Sequence, residues 1–256
     1  MPLRPAAFSI PFLFAAIAAA QTPPPSLKFD FGAATAAPGY TQVQATTMYS
    51  GDLGYGFEPG AALTAVHRGG GDPLRGDFIT SDTPFYFSVK VPEEGNYKVT
   101  VTLGDREAES VTTVKAELRR LMLERVRLAP GKFATQSFIV NVRTPQIPGS
   151  GEVRLKDRER TSEARAWDNR ITLEFSDAHP AVCGVEIEKA DGIPTIFIAG
   201  DSTSTDQPVE PYNSWGQMLT RFFKPDIAVA NHGESGESLR GFIGEQIGRA
   251  SCRERV

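Results

Sequence analysis

Apolar and polar residues alternate with a period of two through most of the chain from residue 27 to about residue 190. Such alternation is typical of strands with one buried face. The stretches that carry it are LKFDFG, FYFSVKV, YKVTVTLG, FATQSFIVNV, GEVRLKD, RITLEFS and CGVEIEKA. PEEGN, between FYFSVKV and YKVTVTLG, predicts the turn of a hairpin. Because no long stretch has a helical period, residues 27–190 are predicted to be a β-sandwich that folds on its own.

The stretch AELRRLMLERVRL within this region has two interpretations. Its periodicity fits a short helix, but it is flanked on both sides by β-rich sequence. Strand, turn and strand are therefore favoured.

The pattern changes near residue 191. IPTIFIAG is a continuous apolar run, which predicts a strand buried on both faces in a parallel sheet. KPDIAVANHG predicts a second such strand, and SLRGFIGEQ after it predicts a helix. Between the strands, SWGQMLTRFF has helical spacing with Trp215 in the core, and its apolar positions are Trp215, Met218, Leu219 and Phe222. Residues 191–246 thus read as the first βα units of a doubly wound α/β domain.

The first twenty residues have the features of a Sec signal peptide. Arg4 is followed by an apolar run that ends in small residues, which predicts cleavage near Ala20. The alternative, a membrane anchor, is disfavoured because the run is too short for a convincing span. The mature protein is then expected to be secreted or periplasmic, and it begins with a Pro-rich linker at residues 21–26.

The last ten residues, IGRASCRERV, do not continue the α/β pattern. They match one reading frame of a widely used sequencing adapter, so residues 247–256 are interpreted as an artefact at the end of a gene fragment. Cys252 belongs to that stretch. The other cysteine, Cys183, lies in a predicted strand and is expected to be a buried free thiol.

Composition narrows the function classes. The chain of 256 residues is 40% hydrophobic and 23% charged, as in globular proteins. The net charge of −4 and the pI near 5.5 disfavour a nucleic-acid-binding protein, which would need a basic face.

Ser202 follows the first apolar strand on a turn of small residues, FIAGDSTSTD. A serine there stands at the carboxyl edge of the sheet, where open α/β sheets bind ligands. With a base and oxyanion donors it would be a nucleophile. An ordinary helix cap gives a similar pattern, so the residues alone leave both roles open.

Two blocks together resemble a known family. FIAGDSTSTD (first block, residues 197–206) and VANHGESGES (second block, residues 229–238) are similar to the first two signatures of the GDSL-type, or SGNH, hydrolases. The nearest form is that of the rhamnogalacturonan acetylesterases. The preceding sandwich, with YSGDLGYGFEPG, is similar to the galactose-binding-like modules found ahead of such esterases.

The resemblance implies a flavodoxin-like hydrolase domain in which Ser202 is the nucleophile and its own N–H is one oxyanion donor. It makes the N–H of Gly236 a second donor, and Asp201 and Asn231 supporting residues. The family's catalytic Asp and His and its oxyanion Asn belong to later blocks that the sequence lacks. The fragment is therefore expected to be inactive, and neither a metal nor a cofactor is expected.

Other candidates receive structural interpretations. His232 is expected to be structural or to line the substrate site, although a neutral imidazole that reached Ser202 could act as its base. His67 and His179 carry no motif. Glu234 and Glu237 are expected to lie in a solvated loop.

Aromatic residues of the sandwich offer a second kind of site. Tyr40, Tyr49, Tyr55 and Trp167 could stack on sugar rings, although packing inside a sandwich is the favoured role of each.

The function predicted for the full-length protein is that of a secreted carbohydrate esterase that removes acetyl groups from pectin-type polysaccharide. A lipase or thioesterase of the same superfamily and a non-catalytic carbohydrate-binding module are the alternatives. A polysaccharide or acetylated oligosaccharide is the expected partner, and neither nucleic acid nor membrane is expected after signal cleavage.

Overall fold

The computed structural model describes residues 27–147, 149 and 151–245. The segments interpreted as a signal peptide (1–20), a linker (21–26) and an artefactual tail (247–256) lie outside these residues. The strands in chain order are β1 (Leu27–Phe31), β2 (Thr41–Val43), β3 (Tyr55–Phe57), β4 (Thr64–His67), β5 (Asp77–Thr80), β6 (Phe85–Lys90), β7 (Gly95–Leu103), β8 (Ser110–Ala116), β9 (Arg120–Leu128), β10 (Ala134–Val142), β11 (Gln146–Ile147), β12 (Gly151–Glu152), β13 (Arg170–Ser176), β14 (Val182–Lys189), β15 (Thr195–Ile198) and β16 (Ala228–Asn231). The α-helices are α1 (Trp215–Leu219) and α2 (Leu239–Gly244), and short 3-10 helices span Pro73–Arg75, Ala164–Ala166 and Thr220–Phe222.

Two sheets of the described residues form a sandwich. One contains β10, β7, β14, β1 and β2 in that order, with β5 and β4 attached beside β14. The other has the order β3, β6, β13, β8 and β9. Alternate side chains of both sheets point into a shared core, as in β7, where Tyr97, Val99 and Val101 are buried.

Phenylalanines from both sheets meet in this core. The rings of Phe31 and Phe87 lie 4.7 Å apart, and those of Phe57 and Phe87 lie 5.3 Å apart, in tilted or edge-on arrangements that aromatic pairs favour. The predicted β-sandwich is therefore confirmed, and Cys183 is a fully buried free thiol in β14 as expected.

The predicted hairpin at PEEGN is wrong. β6 pairs with β3 and β13, whereas β7 pairs with β10 and β14 in the opposite sheet. The segment between them crosses from one layer to the other. A turn signal in the sequence marks a change of direction but does not determine which strands become neighbours.

The strand predicted over GEVRLKD is also largely wrong, because only Gly151–Glu152 pairs, with β11. Val153 and Leu155 are instead buried in a second apolar cluster with Leu118 and Trp167. The strand, turn and strand predicted for AELRRLMLERVRL are confirmed. β8 and β9 form a hairpin whose tip is the three residues Glu117, Leu118 and Arg119.

After residue 190 the chain leaves the two sheets. β15 and β16 pair in parallel as a separate two-stranded sheet, with α1 between them in the sequence. The expected burial of β15 on both faces is wrong, since Ile196 is 37% exposed. Within the described residues β15 pairs only with β16, so no strand covers its other edge, although Ile198 is buried.

Helix α1 is shorter and oriented differently from the prediction. Trp215 is 54% exposed and Phe222 is 71% exposed, so neither is a core residue. Gln217 of α1 and Thr220 of the 3-10 helix that follows it are buried, and their side chains donate to the carbonyl oxygens of Leu118 and Leu121 at 2.9 and 2.6 Å. Hydrogen bonds to the hairpin backbone thus hold this helix in place.

Candidate active site

The two blocks lie at the same edge of the small parallel sheet. Ile198, near the end of β15, is in register with Asn231 at the end of β16. Because the strands are parallel, both blocks leave the sheet at its carboxyl edge. The N–H of Glu234 donates to the carbonyl oxygen of Gly200 at 2.9 Å and ties the second block to the first.

Ser202 is exposed on a tight turn. The carbonyl oxygen of Asp201 accepts the N–H groups of Ser204 and Thr205 at 3.0 and 3.1 Å. The carboxylate oxygen Oδ1 of Asp201 accepts the N–H and the hydroxyl of Thr203, both at 2.9 Å. These hydrogen bonds lower the pKa of Asp201, which therefore acts here as a charged acceptor.

Gly236 is also exposed, and its φ of +74° is in the left-handed region that favours glycine. Asn231, also in the second block, is buried, and its side chain contacts the first block. Its Nδ2 donates to the carbonyl oxygen of Ser204 at 2.6 Å and to Oδ1 of Asp206 at 2.7 Å. Its Oδ1 accepts the N–H of Gly233 at 3.0 Å. One amide side chain therefore joins the two loops.

His232 is 5% exposed. Its backbone N–H donates to the carbonyl oxygen of Ile198 at 2.8 Å. Its ring centroid lies 5.8 Å from that of Trp167 and 6.0 Å from that of Phe197. The ring packs between the sandwich and β15, which is the structural role that the sequence favoured.

A small cavity lies beside His232 at the junction with the sandwich. Its lining includes Arg143, Glu163, Trp167 and Asp206. The guanidinium of Arg143 stacks 4.5 Å from the Trp167 ring, and burial lowers its pKa to about 9. Burial also raises the pKa of Glu163 to about 7. The junction between the sandwich and the blocks is therefore polar and shielded from water.

The solvated loop expected for Glu234 and Glu237 is wrong. Glu234 is 3% exposed, and its carboxylate accepts from the guanidinium of Arg158. The carboxylate of Glu237 binds Nζ of Lys156 at 2.7 Å. Burial of these carboxylates is possible because the sandwich supplies a cation for each.

The aromatic candidates for sugar stacking are mostly engaged within the protein. Trp167 is buried, and its Nε1 donates to Glu159 at 3.0 Å. The hydroxyl of Tyr40 donates to Glu186 at 2.5 Å. Tyr49 and Tyr55 are half-buried, and Tyr55 packs on the sandwich core. Trp167 therefore presents no free ring face for a sugar.

The two other histidines lie in the sandwich. His67 is exposed at the end of β4, and Nε2 of His179 lies 3.1 Å from Oδ2 of Asp105. Within the described ranges no group of three or more His, Cys, Asp or Glu residues is arranged to hold a metal ion. No helix among those residues has the length and apolar character needed to cross a membrane.

Sequence reasoning missed Arg120, the residue after the hairpin tip, whose side chain reaches the first block. Arg120 is 1% exposed, and its Nε donates to Oδ2 of Asp206 at 2.6 Å. The available signal was a charged residue inside the apolar stretch LRRLML, which a strand places among buried neighbours. The periodicity alone does not reveal its partner, which is 86 residues further along the chain.

Glu117 at the same tip provides a pH test. Its carboxylate is buried and accepts the N–H of Thr172 at 3.2 Å, and burial raises its pKa to about 8. A raised folded-state pKa contributes stability below the unfolded value near 4.5, and this contribution is lost as the pH rises through 8. The effect of Glu117→Gln on the free energy of unfolding, variant minus unchanged protein, should therefore differ between the two pH values. We expect it to be more favourable at pH 9 than at pH 5 by on the order of 3 kcal/mol.

Urea unfolding of both proteins at the two pH values measures this difference. Glu109→Gln is the matched control, since the Glu109 side chain is 54% exposed. An equal effect of Glu117→Gln at both pH values would show that the carboxyl is ionised normally in the folded protein.

Comparisons with known proteins agree with the sandwich. Residues 27–147 match the family model described as Beta-agarase/YXIM esterase-like, galactose-binding domain-like. The first part of the sandwich is thus similar to galactose-binding-like domains, as the sequence suggested.

Relatives with longer chains also match. The chain is 28% identical over 238 residues to the protein named "Uncharacterized esterase YxiM" of Bacillus subtilis (strain 168), covering 86% of this chain and 53% of that protein. It thus spans about half the length of the curated relative it matches. The crystal structure of B. subtilis YxiM aligns at 23% identity with a TM-score of 0.48, over 85% of this chain and 57% of that one. A family 35 carbohydrate-binding module from Clostridium thermocellum aligns at 11% identity and a TM-score of 0.31, over 53% and 92% of the two chains.

Proposed function

We propose that this protein is a serine esterase of the SGNH type that removes acetyl groups from pectin-type polysaccharide, with Ser202 as its nucleophile. The observation that carries the proposal is the parallel register of β15 and β16, because it brings the two hydrolase-like blocks to one sheet edge. Ser202 stands exposed there on a turn held by the Asp201 carboxylate. The esterase name of the relative agrees with this chemistry.

The reaction would pass through an acyl-enzyme. Oγ of Ser202 attacks the acetyl carbonyl carbon while a base takes the hydroxyl proton. The N–H groups of Ser202 and Gly236 receive the oxyanion, and the sugar oxygen leaves with the proton from the base. Water then attacks the acetyl-serine and releases acetate.

The base is assigned to the family's later Asp-x-x-His block, and the third oxyanion donor to a later Asn. Neither has a counterpart in residues 1–256, and the chain spans 53% of the relative's length, so the activity is proposed for the full gene product. His232 is an unsuitable base because its buried ring packs against Trp167 and Phe197.

A polysaccharide substrate is proposed from two features. The second block contains Asn231-His232, the pair that resembles the rhamnogalacturonan acetylesterases, and a segment similar to galactose-binding-like domains precedes it. An exported protein with such a domain would meet polysaccharide outside the cytoplasm.

The test combines labelling with a substrate series. A fluorophosphonate should modify the full gene product at Ser202, as mapped by peptide mass spectrometry. Acetate release should be faster from acetylated rhamnogalacturonan than from acetylated xylan, long-chain acyl esters or acyl thioesters. An adduct on another residue would refute the nucleophile, and a preference for long acyl chains or thioesters would favour a lipase or thioesterase instead.

A further inference from the structure

Cations of the β-sandwich reach the loops that carry Ser202 and Gly236. We propose that Arg120 is a positioning residue, which makes the sandwich part of the frame of the active site rather than a tethered sugar-binding module. This inference rests on the proposed function and on the contacts of Arg120, Asp206 and Asn231.

Arg120 is the first residue of β9, and its side chain is buried to 1% exposure. Its Nε donates to Oδ2 of Asp206 at 2.6 Å, and its Nη1 donates to the carbonyl oxygen of Asn141 at 3.4 Å. Asp206, the last residue of the first block, is 4% exposed. A charge-assisted hydrogen bond between two buried ions is short and directional, so it fixes the end of this block on the sandwich.

The same carboxylate continues the connection. Oδ1 of Asp206 accepts Nδ2 of Asn231, which also donates to the carbonyl oxygen of Ser204. Oδ1 of Asn231 accepts the N–H of Gly233. One chain of hydrogen bonds thus runs from the sandwich to Ser204 and Gly233. Ser204 lies two positions after Ser202, and Gly233 lies three positions before Gly236.

The second block has its own attachment to the sandwich. The guanidinium of Arg158 donates to the Glu234 carboxylate and to the carbonyl oxygen of Ser235. Nζ of Lys156 binds the Glu237 carboxylate at 2.7 Å. These contacts lie on both sides of Gly236 in the sequence, and they come from the loop that follows β12.

Both proposed oxyanion donors are therefore positioned by groups of the sandwich. Ser202 and Gly236 are themselves exposed on turns, where few neighbours restrict them. An error of about 1 Å in such a geometry can reduce a rate roughly a hundredfold. The Arg120 contact should consequently affect the chemical step more than substrate binding.

The test uses two variants, of which one keeps the buried charge pair and the other removes both charges. Arg120→Lys keeps the charge but loses the planar fork, whereas Arg120→Met combined with Asp206→Leu removes both charges and leaves neither ion uncompensated. In the 256-residue chain, hydrogen exchange should become about tenfold faster in peptides covering 199–206 and 231–238, with β7 and β14 unchanged. In the full gene product, kcat should fall by about 10- to 100-fold while KM changes less than about twofold.

Arg127→Ala is the control, because Arg127 lies on the same strand in an exposed pair with Glu109 and should change neither readout. Unchanged exchange in both variants would overturn the proposal. Faster exchange with unchanged kcat would also overturn it, since the contact would then be structural only. If Arg120→Lys shows no cooperative thermal transition and is therefore not folded, the exchange and kcat of the double variant decide the proposal.

The exchange measurement needs no activity. If a Ser202→Ala protein kept full activity, the proposed function would fail, while the exchange result on Arg120 would still stand.

Discussion

Replacing Ser202 by alanine is expected to lower kcat/KM of the full gene product toward acetylated rhamnogalacturonan by a factor on the order of 10⁴ or more. In the proposed reaction the Ser202 hydroxyl forms the covalent intermediate, and the substitution leaves no group to replace it. The turn should be unaffected, because its hydrogen bonds are made by Asp201, Thr203 and backbone groups. Acetate release under initial-rate conditions measures the effect.

Ser235→Ala is the matched control for this loss. Ser235 belongs to the second block, and its contact with Arg158 is made by the backbone carbonyl, which the substitution keeps. Its activity should stay within about threefold of the unchanged protein. Loss of activity in both variants, or in neither, would contradict the role given to Ser202.

Most of the sandwich could be predicted because its signal is local. Alternation in YKVTVTLG requires only that one face be buried, and β7 buries Tyr97, Val99 and Val101 as the pattern indicates. Strand pairing is not local. The turn at PEEGN looks like a hairpin in the sequence, but the two strands complete different sheets.

Prediction failed where tertiary contacts reversed a local preference. The predicted helix that begins at Trp215 has apolar residues at helical spacing, yet the buried polar residues of this segment are Gln217 and Thr220. Both bind backbone carbonyls of the β8–β9 hairpin, which the helical pattern cannot anticipate. A polar residue is buried when a partner is available, and that partner is about 100 residues away in the chain.

The candidate site divides in the same way. The turn at Ser202 and the glycine at residue 236 are readable because strand ends and small residues carry their own signal. The cations that hold the two blocks cannot be predicted from the sequence. Lys156 and Glu237 look like ordinary surface residues, and only the fold brings them to 2.7 Å.

Arg120→Ala is expected to lower the free energy of unfolding of the chain by about 3–5 kcal/mol, because it leaves the Asp206 carboxylate buried without its cation. Arg127→Ala removes the same side chain from the same strand, but the Arg127–Glu109 pair is more than half exposed, at 59% and 54%. Water screens such a pair, so its loss should cost less than about 1 kcal/mol. Urea unfolding curves with equal m-values would give both numbers.

The double variant Arg120→Met with Asp206→Leu separates the attraction between the ions from the cost of burying them. Removing both charges should restore most of the stability lost in Arg120→Ala, since apolar groups of similar size often replace a buried pair without loss. The Asn231 amide would still lose its acceptor on Asp206, so a remainder of about 1 kcal/mol is expected. Equal small losses for Arg120→Ala and Arg127→Ala would mean that water reaches Asp206, and the buried link between the sandwich and the Ser202 loop would have to be abandoned.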